Sequence, residues 1–449
     1  MSRRRGRGRR NRVPAEPIEL VIQDLAHDGR GVAKLDEKVI FVDGGLPGER
    51  VVCQYTKTRK DYDEAQVTEV LEASEDRVAP ICDVYGMCGG CRLQHLDPNR
   101  QIEFKAMQLE SNLERQAGLT EYERLAPLRS ASEGYRYKAR LGVKNVPAKG
   151  RVLVGFRERL TPFIVDMKRC PILEDKIDSL IEPLSEMIGK LTIAGALPQI
   201  EVAVGESVHA LSLRVLETPT EEDLAILKAF EAEHDLILYL QPGNESTTVS
   251  LSERGESDQA ISYSLLDSLT LYFKPYHFTQ VNPVMNDKMV RQALDLLDLK
   301  GDEHVLDLFC GLGNFTLALA TQAKSVIGVE GDKSLTDWAG RNAGFNDIDN
   351  VEFHCADLTK DQSSEPWMNQ TYDVLLIDPP RSGALEMMAY IGQLAPKKIL
   401  YVSCHPATLA RDLGVLTKEH PYKLVSAGVM DMFPHTAHVE SMALLVKDE

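Results

Sequence analysis

VLDLFCGLGNF, residues 305–315, reads as a β-strand running into a glycine turn at Gly311 and Gly313, followed by a helix over 316–321. Glycine lets the backbone approach a ligand closely, and the helix start offers unpaired N–H groups. The stretch lacks the Gly-Lys-Ser/Thr of a phosphate loop and is shorter than the full dinucleotide fingerprint. Working outward, apolar β-branched runs at 325–330, 351–355, 373–378 and 398–403 alternate with helical stretches. That alternation predicts an α/β domain built on a mostly parallel, doubly wound, Rossmann-like sheet, with ligands at the carboxyl ends of its strands.

Those strand ends carry chemistry. Glu330 ends the second strand, 19 residues past Gly311, where an acid can hold ribose hydroxyls, and Asp357 ends the third. Phe309 and Asn314 replace residues that would meet a pyrophosphate, which favours S-adenosylmethionine over a nicotinamide dinucleotide. DVLLIDPPRSG, residues 373–383, puts Asp378-Pro379-Pro380-Arg381 at the end of the fourth strand, and the prolines stiffen that loop. The fifth strand delivers Cys404 to the same edge, just before a helix opened by Pro406. A helix N-terminus and a nearby Arg381 are expected to raise its thiolate fraction. In MFPHTAHVESMALL, residues 432–445, Glu440 opens a final apolar strand and reads as a buried general base. His435 and His438 read as loop-positioning residues rather than metal ligands.

Upstream, short alternating strands at 18–23, 39–42, 50–57 and 62–71, separated by Asp28-Gly29, Gly44-Gly45 and Pro47-Gly48, predict a small OB-like β-barrel. Asp97-Pro98 opens a helix with apolar positions Ile102, Ala106, Leu109 and Leu113, closing at Gly118. The predicted organisation is an Arg-rich tail over 1–13, the barrel over 14–73, a central α/β domain over 74–275 and the Rossmann-like domain over 276–449. Helix 97–118 is expected to pack on the last. The 449 residues hold no apolar run long enough to span a membrane and no signal-peptide core at the start, so the chain reads as cytoplasmic. No membrane and no obligate protein partner is expected.

The net charge of −17 argues on average against a polyanionic partner, but the charge is uneven. Residues 1–12 hold seven Arg and no acid; residues 124–169 hold twelve Lys or Arg against Glu133, Glu158 and Asp166. Tyr135, Tyr137, Phe156 and Phe163 are interleaved with the second group, and cations beside aromatics suit single-stranded RNA. Three cysteines fall as C-x5-C-x2-C at Cys82, Cys88 and Cys91, and a fourth, Cys170, precedes Pro171. In a cytosolic protein this spacing points to metal, and it fits an iron-sulfur cluster better than the paired knuckles of structural zinc. Zinc stays open on spacing alone.

Together, Cys82/Cys88/Cys91/Cys170, the Gly311 loop, Asp378-Pro379-Pro380-Arg381, Ser403-Cys404 and His438-Val439-Glu440 resemble the RNA (uracil-C5)-methyltransferase family, over almost the whole chain. The barrel looks like that family's TRAM module. A TRAM module combined with four cysteines is most similar to the class that methylates a uridine of 23S ribosomal RNA. The resemblance implies S-adenosylmethionine contacts at Gln280, Phe309, Asn314, Glu330, Asp357 and Asp378, alongside the glycines 311 and 313. It implies Cys404 as nucleophile, Glu440 as base, Asp378 and Arg381 as groups orienting the pyrimidine, and a [4Fe-4S] cluster on the four cysteines. Two other readings are an enzyme for a different uracil-C5 position in ribosomal or transfer RNA, and a noncatalytic iron-sulfur RNA-binding assembly factor. The Arg-rich tail belongs to none of these motifs.

Overall fold

The computed structural model describes residues 13–448, so residues 1–12 of the Arg-rich tail lie outside the described residues. Two compact units are present: one runs to Glu103 and includes His435–Ala437, and the other holds Phe104–Pro434 and His438–Glu449.

The first unit contains a six-stranded antiparallel-rich sheet made of β1 (Ile18–Val21), β2 (Asp24–Leu25), β3 (Gly31–Leu35), β4 (Lys38–Asp43), β5 (Arg50–Thr58) and β6 (Tyr62–Glu72). The strand order is β1-β5-β6-β4-β3-β2. Leu20, Ile22, Ala33, Ile40, Val42, Val51, Cys53 and Ala65 fill its core. Strand β3 was not expected from the sequence. It pairs with β4 through the two-residue turn Asp36-Glu37, both at positive φ (45° and 67°), a conformation usually signalled by glycine or asparagine. Helix α1 (Pro98–Asn112) follows, and the division between the units falls within it.

The second unit holds a six-stranded sheet, a two-stranded hairpin and an eight-stranded sheet. Beyond β7 (Glu123–Arg124) come β8 (Lys138–Val146), β9 (Arg151–Gly155), α2 (Asp175–Ser179), α3 (Ile181–Gly189), β10 (Gln199–Val204), β11 (His209–Arg214), α4 (Glu221–Glu233), β12 (Ile237–Gln241) and β13 (Val249–Ser250). They form the central sheet in the order β13-β12-β11-β10-β8-β9, from which β7 stands apart. The hairpin of β14 (Ser262–Leu265) and β15 (Leu269–Tyr272) then leads to α5 (Pro283–Leu297).

The expected doubly wound sheet is present. Its elements are β16 (His304–Leu308), α6 (Asn314–Ala320), β17 (Ser325–Glu330), α7 (Lys333–Phe345), β18 (Val351–Cys355), β19 (Val374–Ile377), α8 (Leu385–Met388), α9 (Ile391–Leu394), β20 (Lys398–Ser403) and α10 (Pro406–Lys418), closed by β21 (Tyr422–Met430) and β22 (Glu440–Lys447). The order is β18-β17-β16-β19-β20-β22-β21-β7, with β16 to β20 all parallel and β22 antiparallel to β20. The order reverses between β16 and β19, which opens a ligand crevice at their carboxyl ends. Ala117, at the end of the helical turn Leu113–Ala117 that continues α1, comes against Gly414 of α10. Ala203, Ile237, Phe273, Leu312 and Trp338 share one buried cluster, which joins the central sheet to the Rossmann-like half. No helix among the described residues is long and apolar enough to cross a membrane.

Candidate active site

The loop after β16 turns back on itself with positive φ at Phe309 (66°), Gly311 (55°) and Gly313 (89°). At Gly311 a Cβ would meet nothing within 4 Å, so the backbone there faces open space with room for a ligand. Glu330 is held rigidly: one carboxylate oxygen accepts the Gly311 N–H and the other the Asp332 N–H, each at 3.0 Å. Asn314 exchanges hydrogen bonds with Asn286 at 2.8 and 2.9 Å and accepts the Tyr263 hydroxyl at 3.0 Å. Asn286 and Tyr263 also line a cavity of about 380 Å³ that includes Gln280. Asp357 follows β18, exposed, with its carboxyl held down to about 2 by hydrogen bonds from Thr359 and Lys360. Phe309, Gly311, Gly313, Asn314, Glu330, Asp357 and Asp378 therefore occupy neighbouring strand ends along one edge, and Gln280 lies in the cavity beside Asn286.

Next along that edge come the reactive groups. Ser403 of β20 pairs with Ser441 of β22, and the Ser441 hydroxyl donates to the Ser403 carbonyl at 3.2 Å. The next residue outward on each strand is Cys404 on one and Glu440 on the other, so the two lie at adjacent strand ends. Asp378 follows β19, the other neighbour of β20. Burial pushes the Asp378 carboxyl up to about 7. Burial and the Asp378 carboxyl push Glu440 up to about 8, against the opposing pull of Arg381 and Lys105. The Arg381 guanidinium donates to Nδ1 of His438 at 2.9 Å.

One expectation needs correction. The Cys404 thiol is not activated in the free enzyme: burial, Glu440 and Asp378 push it up to about 11, outweighing Arg381. A half-buried thiol between two carboxyls keeps its proton until the surroundings change.

The basic stretch is also partly spoken for within the protein. Lys138 donates to the carbonyls of Pro275 and His277 at 2.6 and 2.7 Å, bracing the turn that leads to Gln280. Arg140 pairs with Glu201, Lys149 with Asp166 and Arg169 with Asp178. Among the four interleaved aromatics, Tyr135 is buried, Tyr137 and Phe156 are half-buried, and Phe163 is exposed. Cys82, Cys88 and Cys91 lie in one loop of the first unit, where the Gly90 N–H approaches the Cys88 sulfur at 3.4 Å. Cys170 belongs to the second unit and is buried, its N–H donated to Asp178. Among the described residues no group of three or more His, Cys, Asp or Glu is arranged to hold a metal ion.

Sequence reasoning missed the Asn286–Asn314 pair and the buried contact of Lys105 with Asp431. Lys105 had a signal: it stands three residues after Ile102 and four before Leu109, on the apolar face of α1.

A glycine loop at a topological switch point, an acid closing the second strand and an antiparallel hairpin at the sheet's far side define the class of S-adenosylmethionine-dependent methyltransferases. Comparison narrows this. The family model for tRNA (Uracil-5-)-methyltransferase matches residues 267–448, and the TRAM domain model matches residues 16–68. The chain is 49% identical over 441 residues to the 23S rRNA (uracil(1939)-C(5))-methyltransferase RlmD of Alkalilimnicola ehrlichii, covering 98% of this chain and 99% of that one. It is 47% identical over 439 residues to the protein of the same name from Methylococcus capsulatus, covering 98% and 99%. Among solved structures it is similar to the Pyrococcus abyssi tRNA (uracil-54, C5)-methyltransferase in complex with S-adenosyl-L-homocysteine, with a TM-score of 0.74, 26% identity and coverage of 96% and 100%. The chain belongs to the RNA (uracil-C5)-methyltransferase family, in its RlmD branch, and is an S-adenosylmethionine-dependent enzyme.

Proposed function

We propose that the protein methylates C5 of one uridine in 23S ribosomal RNA through a transient bond between Cys404 and C6 of the ring. The observation that carries this reading is the register of β20 and β22, which sets Cys404 and Glu440 at adjacent strand ends on the ligand edge. The RlmD relatives' name supplies the substrate, a uridine at position 1939 of 23S rRNA.

S-adenosylmethionine, held by Glu330, Asp357, Asn314, Phe309 and Gln280 around the Gly311 loop, supplies an electrophilic methyl group. Uracil C5 is too weak a nucleophile to accept it unaided. Addition of the Cys404 sulfur to C6 places electron density on C5, splitting one hard step into two. Arg381 and Asp378 orient the pyrimidine edge and balance charge developing on its carbonyl. After methylation, the Glu440 carboxylate takes the C5 proton, the sulfur–C6 bond breaks and the ring regains its double bond. Because the free thiol is protonated, RNA binding has to bring the sulfur to its ionised form, and Arg381 is the cation at hand to favour it. A folded RNA hides C5 and C6, so the uridine is extruded from its stack. The TRAM barrel and the exposed remainder of the basic stretch grip the flanking strand.

We further infer that Cys82, Cys88 and Cys91, with Cys170 as the fourth ligand by family resemblance, bind a [4Fe-4S] cluster with a scaffold role. Cys88 and Cys91 are buried in one glycine-bearing loop, and an amide donor on the Cys88 sulfur suits a ligating thiolate. Protein purified without oxygen is expected to be brown and to contain iron. A colourless, zinc-loaded preparation would overturn the cluster.

The substrate is tested with labelled S-adenosylmethionine on unmodified 23S rRNA and, separately, on unmodified tRNA. Label is expected in one uridine of 23S rRNA. Label in tRNA alone would redirect the assignment, and no label in either would favour a noncatalytic RNA-binding role.

A further inference from the structure

Lys105 is wholly buried on α1, a position that is costly for an ammonium group unless acceptors surround it. It has two. Its Nζ donates to the Asp431 carboxylate at 2.6 Å and to the Phe433 carbonyl at 2.9 Å. Asp431 directly follows Met430, the cross-strand partner of Glu440, and its own N–H is fixed on the Leu128 carbonyl at 2.9 Å. The ammonium is thus anchored one residue from the backbone partner of the base.

We propose that Lys105 is a positioning residue for the base: its buried ammonium fixes the segment from Asp431 to Phe433 beside the strand end that carries Glu440 and places a positive charge behind that carboxyl. The proposal rests on Glu440 being the base. A purely structural tie at this place would be served as well by an apolar side chain, since a buried ion pair is weak grounds for stability. What an apolar side chain cannot supply is charge. The groups facing Glu440 are Asp378, Cys404, Arg381 and Lys105, and those facing Lys105 are Asp431, Glu440 and the imidazole of His438. Asp378 disfavours a charged Glu440, whereas Arg381 and Lys105 favour it. Arg381 is exposed and its field is screened by solvent; Lys105 is sealed in protein, so its field acts with little screening. Burial draws the Lys105 ammonium down from its ordinary range, and the Asp431 carboxylate, then Glu440, pull in the opposite direction.

Product release is measured in single turnovers on 23S rRNA from pH 6 to about 9.5, a range that brackets the Glu440 ionisation. In the parent enzyme the rate is expected to rise with pH. Lys105→Met should displace that rise to higher pH, leaving release roughly threefold to tenfold slower near pH 7 and within about twofold of the parent near pH 9, the size of a half to one unit shift. Covalent capture of RNA carrying 5-fluorouridine, which precedes proton removal, should stay at the parental level. An unmoved pH profile overturns the proposal, and so does loss of covalent capture, which would reduce Lys105 to a structural tie. A parent enzyme with no pH-dependent rise, or normal release by Glu440→Gln, refutes the base assignment instead.

Discussion

Arg381 donates to Nδ1 of His438 at 2.9 Å, and since a guanidinium has no acceptor, this contact leaves the imidazole proton on Nε2. Burial, with Arg381, Lys105 and Arg136 nearby, pushes His438 down to about 4, so the ring is neutral throughout the working range. The histidine orients Arg381 over the mouth of the site. His438→Ala is expected to lower kcat/KM for RNA by about tenfold, the order of one lost charge-assisted hydrogen bond. S-adenosylmethionine affinity, measured by calorimetry, should be unchanged; an equal loss in both would remove Arg381 positioning as the cause.

The protonated state of Cys404 makes a chemical prediction. Iodoacetamide at neutral pH attacks thiolates, and Cys355 is exposed whereas Cys404 is half-buried with its thiol up at about 11. Peptide mass spectrometry should therefore find Cys355 modified well before Cys404. Cys404→Ala should still bind RNA but form no 5-fluorouridine adduct. Preferential alkylation of Cys404 in the free enzyme would contradict the raised thiol.

Stability should carry the mark of Glu440. Its carboxyl ionises near 4.5 when unfolded and at about 8 when folded. Below the lower value both states are protonated and the residue is neutral to stability. As pH rises between the two, the unfolded state loses its proton first, so the folded state is progressively disfavoured. Glu440→Gln should melt with the parent near pH 4.5 and be more stable than it at pH 8, by about 2 kcal/mol or more. A constant difference across that window would mean that the carboxyl is not held neutral. The same variant should accumulate a methylated, denaturant-stable RNA adduct.

Phe163 stands 67% exposed on a short hairpin whose Arg157 and Ile164 form an isolated bridge, with Leu160 nearby at 68%. If this ring stacks on an RNA base, Phe163→Ser should weaken RNA binding roughly tenfold, within the usual worth of about 1–3 kcal/mol per stacked base. Stability should change by less than about 0.5 kcal/mol, as for other exposed positions. Anisotropy titration with labelled RNA measures the first and thermal melting the second; unchanged RNA affinity would assign the grip elsewhere.

The Rossmann-like half was legible because buried parallel strands are continuous apolar runs, and β17, β18 and β20 begin and end where their residues suggest. Strand β21 was not read: its pattern is broken by a register shift between Leu424 and Ser426. Strands β8 and β9 were masked by their own charges, which drew attention as an RNA surface, although Lys138 and Arg140 turn out to have partners inside the protein. The placement of Cys404 and Glu440 at strand ends followed from chain order. Their ionisation did not, because it depends on which distant groups burial brings around them, and Lys105 stands 335 residues before Glu440.

The pairing of β20 with β22 acts as a ruler between Cys404 and Glu440. Six consecutive backbone partners, from Lys398–Val446 to Ser403–Ser441, set their separation, and no loop takes part. The exposed hairpin bearing Phe163 lies outside that ruler. Changing the length or composition of that hairpin leaves the spacing of Cys404 and Glu440 untouched, whereas a one-residue slip in either strand would turn one of the pair to the opposite face of the sheet.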